Sequence, residues 1–219
     1  MGVGISKDYQ NFLHRILSAL SDRSYVGIYH HVREISYGGV GQRNPRLVSE
    51  RNCGTCSGKH ILLRDLLRAA SYKADVLTLF THFNKNIPVH SSMPDELIEL
   101  IEKGEIFDYH NVVLLHPIVR PDEAEQTDEF ERNADGFFLD ATWPDAMGCF
   151  GFLVNNQWLG KENTILAGPL IKREPVADCV VTQKKNLLEN LSKLQLERRA
   201  LFLKLLTSWI AEQGLLCQG

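Results

Sequence analysis

No stretch of the chain offers the roughly 18 uninterrupted apolar residues that a membrane-spanning helix requires. The opening MGVGISKDYQNFLHRIL also lacks the basic region leading into an apolar run that marks an export leader. Its Met1-Gly2 and Ser6 fit the myristoylation pattern formally, but Lys7 and Asp8 beside them have the look of an ordinary helix start. Basic charge is not in excess either. With 24 Lys and Arg against 27 Asp and Glu, the formal net charge is -3, so the electrostatic footprint of a nucleic-acid or anionic-membrane binder is missing. Cysteine is sparse and odd in number: Cys53, Cys56, Cys149, Cys179 and Cys217 are scattered, unlike the dense, even framework of a small secreted domain. There is no repeat or low-complexity tract, and the YGGVG run lacks the Lys-Ser/Thr that would make it a phosphate loop. These absences predict a cytoplasmic chain with free thiols in a reducing compartment, and neither nucleic acid nor a membrane as its partner.

What is present suffices for one substantial core: 219 residues, 44% hydrophobic, read as a single domain over 1–219. Phe12, Leu13, Ile16, Leu17 and Leu20 recur at helical spacing, and SYVGIYHHV is a short strand or a helix edge. YGGVGQRNPRLVSERNCG is expected to be a functional loop, longer at roughly fifteen residues than most connections. From Cys56 to Ala70, Ile61, Leu62, Leu63, Leu66 and Leu67 supply the buried face of a core helix, with Thr55 as its N-cap. KADVLTLFTHF is then a strand, DELIELIEKG a short helix, and FDYHNVVLLHPIV and DGFFLDATWP two β-rich runs separated by the acidic segment 120–134. FGFLVNNQWLG and NTILAGPLIKREP add further strands. A single amphipathic helix over 182–213 follows, with Leu187, Leu191, Leu194, Leu201 and Leu205 on one side. It is expected to cover the sheet or to pair with a second subunit as a homodimer. The order predicts a segregated α+β domain.

The pair Cys53-Gly-Thr-Cys56 admits three readings. A thioredoxin-type redox couple needs a strand before it, and NPRLVSERN is a poor one. A zinc site could use Cys53, Cys56 and His60, but no second ligand pair follows. The third makes Cys56 a nucleophile, because a helix N-terminus lowers a thiol pKa and its free N–H groups can hold a developing oxyanion. Such a cysteine needs a base and a group to orient that base. His110 in FDYHNVVLL and Asp140 in GFFLDATWP are both placed by the pattern at strand mouths facing a cleft. Of the remaining histidines, His30, His31, His82 and His90 read as surface or loop residues, and Cys149 and Cys179 as small buried ones.

CGTCSGKHILLRDLLRAASYKADVL, DYHNVVLL and FFLDATWP together resemble, in order, the three motifs of the transglutaminase-like superfamily of cysteine acyltransferases and peptidases. The resemblance covers 52–143, and the spacing suits that family better than papain-like peptidases, whose histidine lies much farther from the cysteine. It implies a papain-like core in which the nucleophile opens a central helix packed on an antiparallel sheet, flanked by N- and C-terminal helices. It also implies a Cys56, His110 and Asp140 triad forming an acyl-enzyme from an amide, ester or thioester of a peptide, a protein or a small molecule. Water or an amine would then accept the acyl group. Gln42 and Trp143 are expected at the oxyanion or substrate cleft beside the Cys56 N–H. Nothing resembles the calcium sites of animal transglutaminases, so no metal or cofactor is implied. The sequence departs from the family at Asn111, where an aromatic residue is usual, and at His60, where a small one is. A scaffold of the same fold that binds a peptide or protein without catalysis is the rival expectation.

Overall fold

The computed structural model describes residues 6–39, 43–117 and 136–215. Gly2, Gln42, part of the YGGVG run and the acidic segment 120–134 lie outside the described residues. The architecture is mixed α+β around an antiparallel sheet. Helices α1 (Lys7–Ala19) and α2 (Tyr25–Arg33) open the chain, each begun by a serine, Ser6 and Ser24, whose hydroxyl accepts from a backbone N–H of the first turn. The segment SYVGIYHHV is therefore helical. The expected long loop contains β1 (Ser36–Tyr37), α3 (Pro45–Glu50) and β2 (Cys53–Gly54), with β1 and β2 paired in parallel. Helix α3 was concealed by its polar composition, although Asn44 caps it and Pro45 stands at its first turn, both ordinary helix-start signals.

Helix α4 (Cys56–Ala69) is the core helix. Leu62, Leu63, Leu66 and Leu67 are fully buried and pack with Ala74 and Val76 of β3 (Ala74–His82), Val113 and Leu115 of β4 (Phe107–Leu115) and Leu139 of β5 (Phe137–Leu139). After α5 (Asp95–Lys103) supplies a short cover, β4 pairs along its whole length with β3, and β6 (Leu170–Arg173) closes the sheet order β5-β4-β3-β6, antiparallel throughout. Leu77, Leu79, Val112 and Leu114, of the opposite parity, form a second cluster. Both faces of β3 and β4 are thus covered, which explains why these strands read as continuous apolar runs rather than alternating ones. FGFLVNNQWLG forms no strand; its Trp158 is instead anchored by Nε1 donating to the Glu162 carbonyl.

The C-terminal helix is two helices. α6 (Val180–Leu188) and α7 (Lys193–Ile210) are separated where Ser192 and Gln195 form a reciprocal capping box. The break resets the helical phase, so the buried side of α7 is Phe202, Leu206, Trp209 and Ile210, while Leu194 and Leu201 are exposed. That apolar side is packed within the chain, against Phe83, Trp143 and Phe152 among others. Among the described residues no helix is long and apolar enough to cross a membrane.

A buried lysine joins these layers, its amine pushed down to about 7 by burial. Lys59 of α4 is fully buried, and its Nζ donates to the carbonyls of Arg33 at 2.9 Å, Ile35 at 2.5 Å and Thr142 at 3.1 Å. In the charged form three donors meet three acceptors from two segments, the end of α2 with the residues after it and the stretch after β5. Lys59→Met keeps the chain length but leaves those carbonyls without a partner, so thermal unfolding is expected to show a loss of about 3 kcal/mol. A loss below 1 kcal/mol would show that water replaces the ammonium.

Candidate functional site

Cys56 is a free thiol at the first position of α4. The first N–H groups of a helix have no intrahelical acceptor, and Thr55, although it is the N-cap, makes no side-chain cap bond to them. Gly54 precedes them in a place where a Cβ would meet Val48 at 2.9 Å, so only glycine lets the chain turn into α4 this close to α3.

His110 lies in the interior of β4, fourth in the strand and fully buried, not at a strand mouth. The strand continues through the polar Asp108, His110 and Asn111 because each finds a buried partner. Asp140 follows β5 directly, and β5 is the neighbour of β4, so the two residues meet across adjacent strands. His110 Nε2 donates to Asp140 Oδ2 at 2.8 Å. The same carboxylate accepts from Ala167 N at 2.8 Å on Oδ2, and from Thr142 N at 3.0 Å and Thr142 Oγ1 at 2.5 Å on Oδ1. Burial alone would raise the Asp140 carboxyl; the His110 imidazolium and these donors hold it well below the carboxylate range.

With Nε2 committed, Nδ1 is the free end of the His110 ring. It is buried and has no hydrogen-bond partner. Burial lowers His110, and Asp140, followed by the Cys56 thiolate, overcomes it and raises the imidazolium to about 10. Burial likewise raises Cys56, but Lys184 first and His110 next bring the thiol down to about 5. A thiolate and an imidazolium therefore coexist across the neutral range, with Nδ1–H the proton available to a leaving group.

His60 accounts for its unusual place in the helix. Its Nδ1 lies 2.7 Å from the Cys56 carbonyl and its Nε2 accepts from Ala141 N at 2.8 Å, which fixes the tautomer with the proton on Nδ1. The ring ties the first turn of α4 to the Asp140 segment. Both nitrogens are used by backbone, so the Cys53, Cys56 and His60 zinc arrangement has no ligand nitrogen available. The redox reading fails on the other cysteine: Cys53 is disulfide-bonded while Cys56 is free, so the two are not a couple with each other, and free thiols throughout are ruled out. Cys149 and Cys179, expected to be buried, are exposed. Among the described residues no three His, Cys, Asp or Glu side chains converge as a metal site.

Asn111 has a definite task. Its Oδ1 accepts from Ser57 Oγ at 2.7 Å and its Nδ2 donates to Thr78 Oγ1 at 3.0 Å, which in turn donates to Gln183 Oε1 at 2.8 Å. This chain of side chains runs from the residue after Cys56 to α6. Trp143 is 5% exposed and stacks at a tilt on Tyr37, with ring centroids 4.7 Å apart, in the same cluster as Cys56, Phe83 and Phe202.

No family model matches the chain, and neither the curated proteins nor the solved structures contain a match. The sequence reading missed Asp108, Tyr37, Lys184 and Arg199, which surround Cys56. Asp108 Oδ1 accepts from Arg199 Nε at 2.6 Å, and its Oδ2 lies 3.4 Å from Lys184 Nζ. Asp108 stands two residues before His110 and so on the same side of β4, which was a usable signal. Lys184 and Arg199 lie on α6 and α7, and no spacing tied them to the cysteine.

Proposed function

We propose that the protein carries out cysteine-dependent acyl chemistry through Cys56, His110 and Asp140 on a transglutaminase-like, papain-like core. The observation that carries this reading is the His110 ring, bonded to Asp140 by Nε2 with its Nδ1 buried and otherwise unpartnered, interacting electrostatically with a free thiol that opens a helix. The core reading is supported by α4 packed on an antiparallel sheet whose adjacent strands carry the histidine and lead into the aspartate.

The Cys56 thiolate attacks the carbonyl carbon of an amide, ester or thioester; the C–S bond forms and the carbonyl π pair moves to oxygen, held by the Cys56 N–H. As the C=O bond re-forms, the leaving group departs with the proton of His110 Nδ1. Water or an amine then gives its proton to Nδ1 and attacks the thioester, and the C–S bond breaks to return the thiolate and the imidazolium. Asp140 keeps the ring oriented and its charge balanced throughout. Substrates are a peptide, a protein or a small acyl compound.

Cys56 is 4% exposed, so the site is closed, and this favours one rival: a scaffold with an inert thiol that binds a peptide or protein. Acylation separates the two. The full chain, treated with p-nitrophenyl acetate near neutral pH, is expected to release a burst of nitrophenol and to carry one acetyl group on the peptide containing Cys56. Cys56→Ser should abolish the burst and Cys53→Ser should retain it. Acetylation that is absent from Cys56, or unchanged by His110→Ala, establishes the scaffold.

A further inference from the structure

The C-terminal helices bring to the nucleophile a cation that a cysteine, a histidine and an aspartate do not require. Lys184 of α6 is 4% exposed, and its Nζ lies 3.7 Å from Cys56 Sγ. Its other polar neighbour among the described residues is Asp108, whose Oδ2 is 3.4 Å away. Arg199 of α7 occupies the other oxygen of that carboxylate at 2.6 Å, so Asp108 is already neutralised and the ammonium is shared with the sulfur. The position of α6 is itself fixed beside the site. Gln183, the residue before Lys184, accepts from Thr78 Oγ1 and donates from Nε2 to the Pro175 carbonyl at 2.6 Å.

We infer, on the basis of the acyl-transfer reading above, that Lys184 is a further catalytic residue: its ammonium pairs with the Cys56 thiolate at rest and follows the negative charge onto the carbonyl oxygen as the C–S bond forms. The charges around the site are in step with this. Arg199 balances Asp108, and His110 is shared between Asp140 and the thiolate, so Lys184 supplies the second positive charge at the sulfur. In the tetrahedral intermediate the sulfur becomes neutral and the same unit of charge sits on the oxygen, one carbon farther along and within the swing of a lysine head group. No proton leaves the ammonium; the step moves one electron pair from sulfur to carbon and one from the carbonyl bond to oxygen. The Cys56 N–H and Lys184 then share the oxyanion, the place the sequence suggested for Gln42 or Trp143. Tyr37, on the β1 side of the sulfur, is kept as a neutral phenol by burial and by the nearby negative charges of Cys56 and Asp108. His60 is bound to backbone at both nitrogens, and a further cation that interacts with Cys56, Lys59, is pushed down to about 7 by burial.

The test compares Lys184→Gln, which keeps a polar head of similar length without charge, with Lys184→Arg, which keeps the charge. Two rates are read as functions of pH: alkylation of Cys56 by iodoacetamide, followed by peptide mass, and the p-nitrophenyl acetate burst. Lys184→Gln is expected to raise the alkylation midpoint by about one pH unit or more, since an opposite charge this close shifts a thiol by that order, and to slow the burst at least tenfold even at pH 8, where the thiol stays ionised and the loss comes from the oxyanion left with one donor. Lys184→Arg should recover most of both. An alkylation midpoint unmoved within about 0.3 pH unit together with a burst within twofold of the unsubstituted protein in Lys184→Gln overturns the inference, as does equal loss in the Gln and Arg variants, which would mean that the side chain only packs. An unsubstituted protein that alkylates with a low midpoint yet never forms the acetyl-enzyme refutes the acyl-transfer reading alone, since the midpoint shift in Lys184→Gln is read without any acyl substrate.

Discussion

Asparagine at position 140 is expected to cost about 3–5 kcal/mol of folding stability, which in a chain of this size lowers Tm by roughly 10 °C. The two side chains are isosteric, and the cost comes from hydrogen-bond polarity. The four groups hydrogen-bonded to Asp140 are donors, His110 Nε2, Ala167 N, Thr142 N and Thr142 Oγ1, while His60 Nε2 stands farther off at 3.5 Å from Oδ1. A carboxylate accepts all four. An amide must turn its NH2 toward either the Thr142 pair or the Ala167 and His110 pair, which places donor against donor in a site only 2% exposed. Asp140→Asn also removes the charge that holds His110 as an imidazolium, so the acetylation burst should fall with the stability. Asp140→Glu, which keeps the charge with misplaced oxygens, should recover part of the His110 protonation and little of the packing. A Tm within 2 °C of the unsubstituted protein in Asp140→Asn would show that the loop after β5 relaxes around the amide, and the account of Asp140 as an acceptor-only hub would have to be abandoned.

The parts of the fold that were legible in the sequence are those with strong periodicity. Helix α4 shows its Leu62, Leu63, Leu66 and Leu67 face directly, and β3 and β4 their apolar runs. The coarse α+β class follows from those segments. What was hidden depended on contacts between distant residues. His110 was expected at a strand end because Asp108, His110 and Asn111 look like a polar flank; the strand tolerates them because Arg199, Asp140 and Ser57 reach them from elsewhere in the chain. The break between α6 and α7 was missed because leucines on either side continue a plausible stripe, although Ser192 and Gln195 carry a capping box that local reading can find. Lys184 is half of an ordinary Lys-Lys pair in sequence. It becomes part of the site only through the turn of the chain that sets α6 beside Cys56, and no local pattern encodes that placement.

Alkylation of Cys56 is expected to be half-maximal near pH 5 and level to about pH 10, because the thiol is brought down to about 5 and the imidazolium up to about 10. Removing the imidazole in His110→Ala takes away one of the two cations; with Lys184 still present, the rate at pH 6 should fall roughly a hundredfold, since an ordinary thiol is ionised there only to about one part in a thousand. The same pair sets a pH window for stability. The ordinary values are 9.0 for the thiol and 6.5 for the imidazole. Between about 6.5 and 9 the native pair holds one proton, on His110, and the unfolded chain also holds one, on sulfur, so the pair contributes no pH slope. Below 6.5 the unfolded chain binds a second proton that the native pair refuses until about pH 5. Stability then falls with acid by about 1.4 kcal/mol per pH unit. Above 9 the unfolded chain has lost both protons while His110 keeps its own to about 10, and stability falls with base. Denaturant midpoints measured from pH 4.5 to 10.5, with those of Cys56→Ala/His110→Ala subtracted, should show that plateau with both shoulders. A difference curve that slopes steadily through pH 7 to 9 would mean that the native pair does not hold a single proton there; an alkylation midpoint near the ordinary 9.0 would mean that thiol and imidazole are both neutral in the native state, and an uncharged pair gives the nucleophile no activation to explain.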